Sequence, residues 1–458
     1  MGFMDVLAKI GLVVPSAPRP VRRPSLGKRL LFTGLAAIAF ILLSATPLYG
    51  IQRVGVSPIS PMISILLAMA SGTLAQLGIG PIVTSGLILQ ILVGAKIIDM
   101  DLNDPEDRRK FTLANKGLAI ILAIVEAAGF VVSGIFWYIP QAVSVWVKVA
   151  VFLQLLWGSI IIIVLDEAIQ KGWGLGSGIS LFILIGVAQR FFSELLAPHS
   201  ISEEIAMPYG LIPYIVESAR NGYISFYDMF IGRLFYGYPS LTGLIVTIVL
   251  IAVITYLSVA RINIPIAVAR YGGIRTKVPL QLMYVTNIPV LLTGILISNV
   301  LLILNLLRNY LGIDLVNVAG PYLSSPTLAR FSVYPIQSMI YVALFLVLCI
   351  GFGILWIEIA GLNPEAQAEN LIKAELNIPG MRRSTKILSS YLARYIYPLT
   401  IFSSIAVAVI ALVGDIFGSF GTGTGLLLAV GILYNYYQIL VYERTLEMYP
   451  LLKRFIGE

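Results

Sequence analysis

Ten stretches of about 20 residues in this chain carry almost no charge, and each is long enough to cross a bilayer as a helix. They lie at 30–50, 77–95, 117–138, 147–165, 174–192, 241–260, 280–307, 336–357, 395–414 and 422–442. Of the 458 residues, 58% are hydrophobic and 12% are charged, about half the charged fraction of a soluble domain. Because so little polar surface could not cover a soluble core, we exclude a soluble enzyme, a DNA-binding module and a disordered chain. We predict an all-α integral membrane protein with ten transmembrane helices.

The chain has a single cysteine, Cys349, and a single histidine, His199. An intrachain disulfide, a zinc cluster and a site with several histidine ligands are therefore impossible. We expect Cys349, in an apolar stretch, to be an inert core residue and His199, after Pro198, to lie in a solvated loop. No metal or cofactor is expected.

Positive charge is distributed unevenly between the alternating loops. Placing the amino terminus in the cytoplasm puts 24 of the 31 Lys and Arg residues on that side of the membrane and seven on the other. Such an excess is typical of cytoplasmic loops, so both termini are predicted to be cytoplasmic.

These assignments divide the chain into five parts. The basic amino-terminal residues carry an apolar stripe of Phe3, Leu7 and Ile10, which indicates a short helix in the membrane interface rather than a cleaved signal. The predicted parts are a cytoplasmic amino terminus (1–29), an N-terminal half (30–195), an external loop (196–240), a C-terminal half (241–443) with cytoplasmic loops 261–279 and 358–394, and a cytoplasmic tail (444–458).

The segment before the second stretch is too long for one crossing. No residue from Val54 to Ala95 is charged, yet the flanking Arg53 and Lys96 fall on opposite sides of the membrane. The surplus predicts a half-helix at about 61–74 that re-enters from outside. Irregular backbone at membrane depth is tolerated only against protein or water, so this segment is expected to line a central cavity.

Two pairs of short motifs recur in the same order. The letters PIVTSG at 81–86 correspond to PVLLTG at 289–294, and the Gly-x-Gly-x-Gly run at 174–178 corresponds to the run at 421–425. The second and fifth stretches thus correspond to the seventh and tenth. Five crossings per repeat predict two inverted five-helix halves around this central cavity.

The glycine runs do not have the spacing of a phosphate-binding loop, and we interpret them as close backbone packing at a helix start. The acidic loop at 99–104 resembles the start of a calcium loop, but Asp104 and Lys110 stand where that loop needs Gly and Glu. We therefore reject a calcium site.

Glu126 is a carboxylate deep inside an apolar stretch. A buried ionisable group in a membrane is costly, so either a functional role or a structural hydrogen bond between helices would explain it, and both remain open. Thr84 and Asn287, on the repeat-related second and seventh stretches, are its plausible partners. Three other carboxylates near the ends of stretches are expected at the interface, namely Asp166, Glu167 and Glu358.

Several longer segments resemble the SecY family, the channel-forming subunit of the protein translocon. The similar segments are LGIGPIVTSGLILQ at 77–90, GLGSGISLF at 174–182, TNIPV at 286–290, WIE at 356–358 and GTGLLL at 423–428. They occur in family order along essentially the whole chain. The segment GIGPIVT at 78–84 is closer to the archaeal and eukaryotic branch of the family. This similarity implies that the protein lies in the plasma membrane of a prokaryotic cell, that of an archaeon.

The resemblance implies a role for each feature. Residues 61–74 would be a plug. The polar cluster of a lateral gate would be formed by Thr84, Glu126 and Asn287. This gate would lie between stretches two and three on one side and stretches seven and eight on the other. The implied pore ring is Ile79, Val83, Ile179, Ile183, Leu291 and Leu428. The implied ribosome contacts are Arg270, Arg275, Lys277, Arg382 and Arg383. Implied partners are small membrane subunits of the SecE/gamma and Sec-beta types, the ribosome, nascent polypeptides with signal sequences, and anionic lipid, with no DNA.

Two rival functions have different sequence requirements. An ion-coupled secondary transporter also uses inverted repeats and broken helices, but it is expected to place several coordinating groups at the membrane midplane. An intramembrane enzyme needs a paired nucleophile and base or a set of metal ligands. The aliphatic residues at the helix breaks favour a channel that conducts unfolded polypeptides, releases apolar segments into lipid and is not an enzyme.

Overall fold

A computed structural model describes residues 3–21, 24–52, 67–94, 97–100, 104–139, 142–198, 207–222, 225–268, 274–311, 315–373, 376–377 and 384–448. In chain order its helices are α1 Phe3–Gly11, α2 Leu26–Ala45, α3 Gly80–Gly94, α4 Pro105–Val132, α5 Val145–Ala168, α6 Gly178–Leu196, α7 Leu211–Arg220, α8 Arg233–Phe235, α9 Leu241–Val259, α10 Ile288–Leu311, α11 Val316–Leu323, α12 Leu328–Val333, α13 Pro335–Ile359, α14 Pro364–Lys373, α15 Thr385–Ile416 and α16 Gly423–Met448.

Within this described part, ten apolar helices match the ten predicted stretches one to one, namely α2–α6, α9, α10, α13, α15 and α16. The largest differences are at the starts of α4 and of α15, which begins at 385 rather than 395. Helix α4 begins at 105 rather than 117, because Asp104, Pro105 and the acidic first turn begin the helix well before its apolar part. Helix α3 has only 15 residues, too few to span a bilayer alone.

The helices pack as two similar sets of five. In the first set α3 packs on α4, α4 on α5, and α2 on α6. In the second set α10 packs on α13, α13 on α15, and α9 on α16. These are the neighbours that the predicted repeat requires, so the two-half architecture is confirmed at the level of helix packing.

The two sets meet along two seams. Along one seam α6 packs against α16, and along the other α3 packs against α13. Where α3 ends, a Cβ on Gly94 would lie 3.0 Å from the Ile359 carbonyl oxygen, so the two backbones nearly touch. One buried apolar cluster runs through both sets and includes Phe40, Phe182 and Phe345.

The predicted half-helix at 61–74 needs a correction at its carboxyl end. Residues 61–66 lie outside the described residues, and residues 67–74 form turns rather than helix. Ala68 and Gly72 have positive φ angles of 49° and 76°, which a helix cannot accommodate. The turns are held to the end of α2, where the amide of Leu48 donates to the Gly72 carbonyl (2.9 Å).

The amino-terminal helix packs on protein rather than only in the membrane interface. Helix α1 buries Met4, Leu7 and Gly11, and Gly11 and Gly117 allow its backbone to touch α4. The extended residues 14–18 that follow are bound through their carbonyl oxygens. Lys116 donates to residues 14 and 15, Lys171 to residue 17 and Trp173 to residue 18.

A small antiparallel sheet joins the two long loops that were predicted to be cytoplasmic. Its strands are β1 Arg261–Val268, β2 Ile274–Gln281 and β3 Leu376–Asn377, in the order β2-β1-β3. Residues 261 and 268 of β1 pair with 281 and 274 of β2, and residue 268 also pairs with 376 of β3. The two basic loops therefore form one unit at this end of the helices.

Cys349 is fully buried in α13, as predicted, with its sulfur 3.4 Å from the Thr293 hydroxyl. His199 lies outside the described residues.

Candidate functional site: an aliphatic ring between two seams

The six residues of the predicted pore ring come from the starts of four helices. Ile79 immediately precedes α3 and Val83 lies in its first turn, while Ile179 and Ile183 occupy the first two turns of α6. Leu291 lies in the first turn of α10 and Leu428 in the second turn of α16.

All six side chains belong to the same apolar cluster. Ile79, Ile183 and Leu428 are buried, whereas the other three are half-buried and pack against them. The six residues of the predicted ring are therefore aliphatic members of one cluster to which both five-helix sets contribute. A narrow collar of this kind repels water and ions and offers no specific bond to a passing side chain.

A buried carboxylate holds the start of α6. The Asp166 carboxylate accepts a hydrogen bond from the amide of Ile179 (3.0 Å) and one from the Gln170 side chain (2.8 Å). A Cβ on Gly178 would lie 2.7 Å from Asp166 Oδ1, so glycine is required for this approach. Asp166 lies at the end of α5, as predicted, but it is only 4% exposed and caps a helix, a role that the sequence did not indicate.

Two more carboxylates hold the start of α16. Asp415, near the end of α15, accepts from the amide of Gly423 (3.3 Å) and from the Ser325 hydroxyl (2.8 Å). Glu194, near the end of α6, accepts from the amide of Gly421 (2.8 Å). Sequence reasoning assigned no role to Asp415 or Glu194. A carboxylate shortly before each Gly-x-Gly-x-Gly run was a usable signal for Asp166 and Asp415.

The prediction that the glycine runs mark close packing at a helix start is confirmed. Gly176 and Gly421 have positive φ angles of 67° and 74°. A Cβ on Gly423 would collide with the carbonyl oxygens of Ile410 and Ala411 in α15. Side chains at these glycines would therefore separate helices that touch through their backbones.

The three residues of the predicted gate cluster belong to three different segments of the chain. Thr84 is on α3, Glu126 on α4 and Asn287 immediately before α10, and all three are half-buried. A Cβ on Gly80 would lie 3.4 Å from Glu126 Oε2, so this carboxylate faces the start of α3.

The expectation that hydrogen bonds join these three side chains is not met within the part of the chain that the structure describes. The polar bond between α3 and α4 is instead formed by the Ser85 hydroxyl, which donates to the Asn115 side-chain oxygen (2.8 Å). The seam itself is closed by apolar contact and by the close approach of Gly94 to Ile359.

The opposite seam has strong polar bonds between the two sets. The Arg29 guanidinium forms an ion pair with Glu443 (2.7 Å) and donates to the Gly174 carbonyl (3.1 Å). The Tyr436 hydroxyl donates to the Ser177 carbonyl (3.2 Å). Since Glu194 binds Gly421 at the other end of the same helices, α6 and α16 are tied at both ends.

A cavity of about 580 Å³ lies between α6, α10, α15 and α16 at the predicted external end. Arg190 and Glu194 line it and are joined by a 2.8 Å ion pair. Arg190 is seven residues beyond Ile183 on α6, so both lie on one helix face. Burial and the Glu194 carboxylate raise the pKa of Tyr209, another lining residue, which therefore stays neutral.

Only part of the predicted ribosome-contact set can be placed. Arg270, Arg382 and Arg383 lie outside the described residues. Arg275 and Lys277 are on β2, with Lys277 exposed.

The base of the two loops is fixed by Tyr284. Its hydroxyl donates to the Leu362 carbonyl (2.7 Å), and burial raises the pKa of Tyr284 to about 12, so this bond is not lost by titration near neutral pH. Glu358 lies at the end of α13, where its carboxylate accepts from the Asn363 side chain (2.7 Å).

Comparison with known proteins places this arrangement among protein translocation channels. A family model described as SecY matches residues 73–437. The protein translocase subunit SecY of Aeropyrum pernix is 46% identical over 465 residues, covering 100% of this chain and 99% of that protein. A solved structure described as a protein conducting channel has a TM-score of 0.77 and 33% identity, covering 98% of this chain and 99% of that one. Sec61 in the canine ribosome–channel complex from the endoplasmic reticulum has a TM-score of 0.74, 33% identity and the same coverage.

Proposed function

The chain belongs to the SecY family, and from that membership we propose which of its residues perform each step of polypeptide transport. It is a multi-pass membrane protein that forms a protein-conducting channel, through which unfolded polypeptides cross and from which hydrophobic segments enter the lipid. The proposal concerns the pore ring, the lateral gate, the loops that meet partners, and the orientation of the chain.

The seal of the resting channel is assigned to the ring of Ile79, Val83, Ile179, Ile183, Leu291 and Leu428. The observation that carries this assignment is that four helix starts, two from each set, contribute aliphatic side chains to one cluster. A collar without charge or fixed hydrogen bonds blocks ions, yet it accepts any side chain that is pushed through it.

The lateral gate is assigned to the α3–α13 seam, with Thr84, Glu126 and Asn287 beside it. This seam has apolar contacts where the other seam has ion pairs and hydrogen bonds, so its opening costs less. An arriving apolar helix can replace such contacts with its own. The three polar side chains would set how hydrophobic that helix has to be.

The sheet-linked basic loops are assigned to ribosome binding through Arg270, Arg275, Lys277, Arg382 and Arg383. Sec61 was solved in a complex with the ribosome. The exposed side chain of Lys277 on β2 is suited to contacts with the phosphate groups of RNA. The flanking basic residues would also contact anionic lipid.

Small subunits of the SecE/gamma and Sec-beta types would cover exposed apolar helix faces. The termini are assigned to the cytoplasm of a prokaryotic, archaeal cell, and the chain has no catalytic role.

Disulfide trapping tests the pore assignment. In a Cys349→Ser background a cysteine is placed at Ile183, and a stalled secretory nascent chain with one cysteine is presented on ribosomes. We expect a crosslink that requires a functional signal sequence. A matched cysteine at Ile248, on the exposed face of α9, should not crosslink. Absence of the Ile183 crosslink, together with solute uptake into proteoliposomes, would instead support the secondary transporter.

A further inference from the structure

The ring is built at helix starts, and helix starts have amide groups without partners inside the helix. A carboxylate at such a position satisfies those amides and interacts favourably with the helix dipole. Of the four helices that form the ring, α6 and α16 have such a carboxylate at their starts, whereas α3 and α10 have none among the residues that the structure describes.

The starts of α6 and α16 are each held by a carboxylate from the preceding helix. Asp166, at the end of α5, binds the amide of Ile179, which is itself a ring residue. Asp415, at the end of α15, binds the amide of Gly423, five residues before Leu428. The two aspartates occupy corresponding places in the two repeats.

Glu194 adds a bond between the two sets. Its Oε2 accepts from the amide of Gly421, while its Oε1 accepts from Arg190. The Glu194 side chain is 10% exposed, so this bond is largely protected from competing water. The start of α16 is therefore fixed both to α15 of its own set and to α6 of the other.

The starts of α3 and α10 have main-chain partners instead. The amide of Ile79 donates to the Leu67 carbonyl (2.9 Å), whereas at the start of α10 the amide of Leu291 forms only the ordinary helical bond to the Asn287 carbonyl (3.1 Å), a kind of bond that α6 and α16 also have. Among the residues that the structure describes, no carboxylate accepts a hydrogen bond from the first turn of either helix.

We propose that Asp166, Asp415 and Glu194 are positioning residues of the pore ring, which fix its α6 and α16 half while the α3 and α10 half gives way to a polypeptide. This inference rests on the ring assignment of the proposed function. The fixed half consists of Ile179, Ile183 and Leu428, next to the seam that is tied at both ends. The half that moves consists of Ile79, Val83 and Leu291, next to the lateral gate seam.

Hydrogen exchange of the wild-type chain, reconstituted with its partner subunits, tests the asymmetry without any substitution. Amides at the starts of α6 and α16 should exchange at least tenfold more slowly than those at the starts of α3 and α10. Equal protection at all four helix starts would overturn the proposal.

Ion flux through resting channels in proteoliposomes tests the carboxylates. Asp166→Ala and Asp415→Ala should each raise the flux about five- to tenfold, the factor that corresponds to the loss of a helix cap. Each should raise exchange only at the helix it caps. Asp166→Asn keeps an oxygen that can accept from Ile179 and should restore most of the seal. Glu217→Ala, a carboxylate of α7 that caps neither helix, should not leak.

A ring variant separates failure of this inference from failure of the ring itself. Ile183→Gly should leak strongly. If it leaks while folded Asp166→Ala and Asp415→Ala variants keep wild-type flux and exchange, the positioning role is wrong and the ring assignment stands. If Ile183→Gly does not leak, the ring assignment is wrong and the inference falls with it.

Discussion

A three-residue charge network at the predicted cytoplasmic end offers a sharp test of the packing described above. Glu167 pairs with Lys116 (2.8 Å) and with Lys171 (2.7 Å), and the Lys116 side chain is only 7% exposed. In Glu167→Gln the side-chain amide oxygen accepts a hydrogen bond from one lysine at most. The amide NH₂ group, which is a donor, then faces the ammonium group of the other lysine. Both ammonium groups then lose their counter-charge, and that of Lys116 remains largely buried.

The expected cost follows from what Lys116 keeps. Breaking a buried pair by removing one partner costs about 3–5 kcal/mol. Lys116 retains the carbonyl oxygens of residues 14 and 15 and the Ser16 hydroxyl as acceptors, which places the cost at the lower end, about 3 kcal/mol. Lys171 is a quarter exposed and adds less than about 1 kcal/mol.

Thermal unfolding in detergent measures this cost, and we expect Glu167→Gln to lower Tm by about 3 °C, since the unfolding entropy of a chain this long is about 1 kcal/mol/K. The matched control is Lys110→Gln, which breaks the Asp5–Lys110 pair of 2.6 Å between side chains about 40% exposed. Because solvent screens that pair, its loss should cost at most about 1 kcal/mol. Equal shifts in the two variants would refute the reasoning that burial sets the strength of this network.

Three further substitutions test other parts of the structure. Arg233→Met removes a buried guanidinium that lies 4.0 Å from the Tyr214 ring and binds main-chain carbonyls, so it should destabilise the external loop by about 2–4 kcal/mol. Faster proteolysis of that loop measures the effect, and an unchanged cleavage rate contradicts it. Gly158→Ala places a methyl group against the Leu74 carbonyl, so it should shift the turns at 67–79 and raise resting ion flux, with wild-type flux as the contrary result. Glu126→Leu should lower the signal hydrophobicity needed for insertion, and an unchanged threshold in an insertion assay would remove Glu126 from the gate.

The sequence was sufficient for the architecture because the bilayer imposes it directly. A span has to be apolar and about 20 residues long, so composition along the chain predicts where helices lie, and all ten were found. The repeat was visible for a similar reason. Helix breaks need Gly and Pro, so breaks at corresponding places in the two halves leave similar motifs in the sequence. The least accurate limits, such as those of α4, fall where helices extend beyond the apolar region and hydrophobicity no longer marks their ends.

Tertiary structure decided which polar groups meet. Asp166 was expected at the interface because its neighbours in sequence end a helix, yet the fold buries it under α6. The sequence identified three polar residues on or beside the helices of the predicted gate, namely Thr84, Glu126 and Asn287. Hydrogen bonds between them depend on ångström-scale placement that periodicity does not specify. The pairing of Arg29 with Glu443, at opposite ends of the chain, likewise depends on how two five-helix sets are docked. Hydrophobicity alone determines which segments enter the membrane, whereas the directional bonds that distinguish the α6–α16 seam from the α3–α13 seam exist only after the helices have packed.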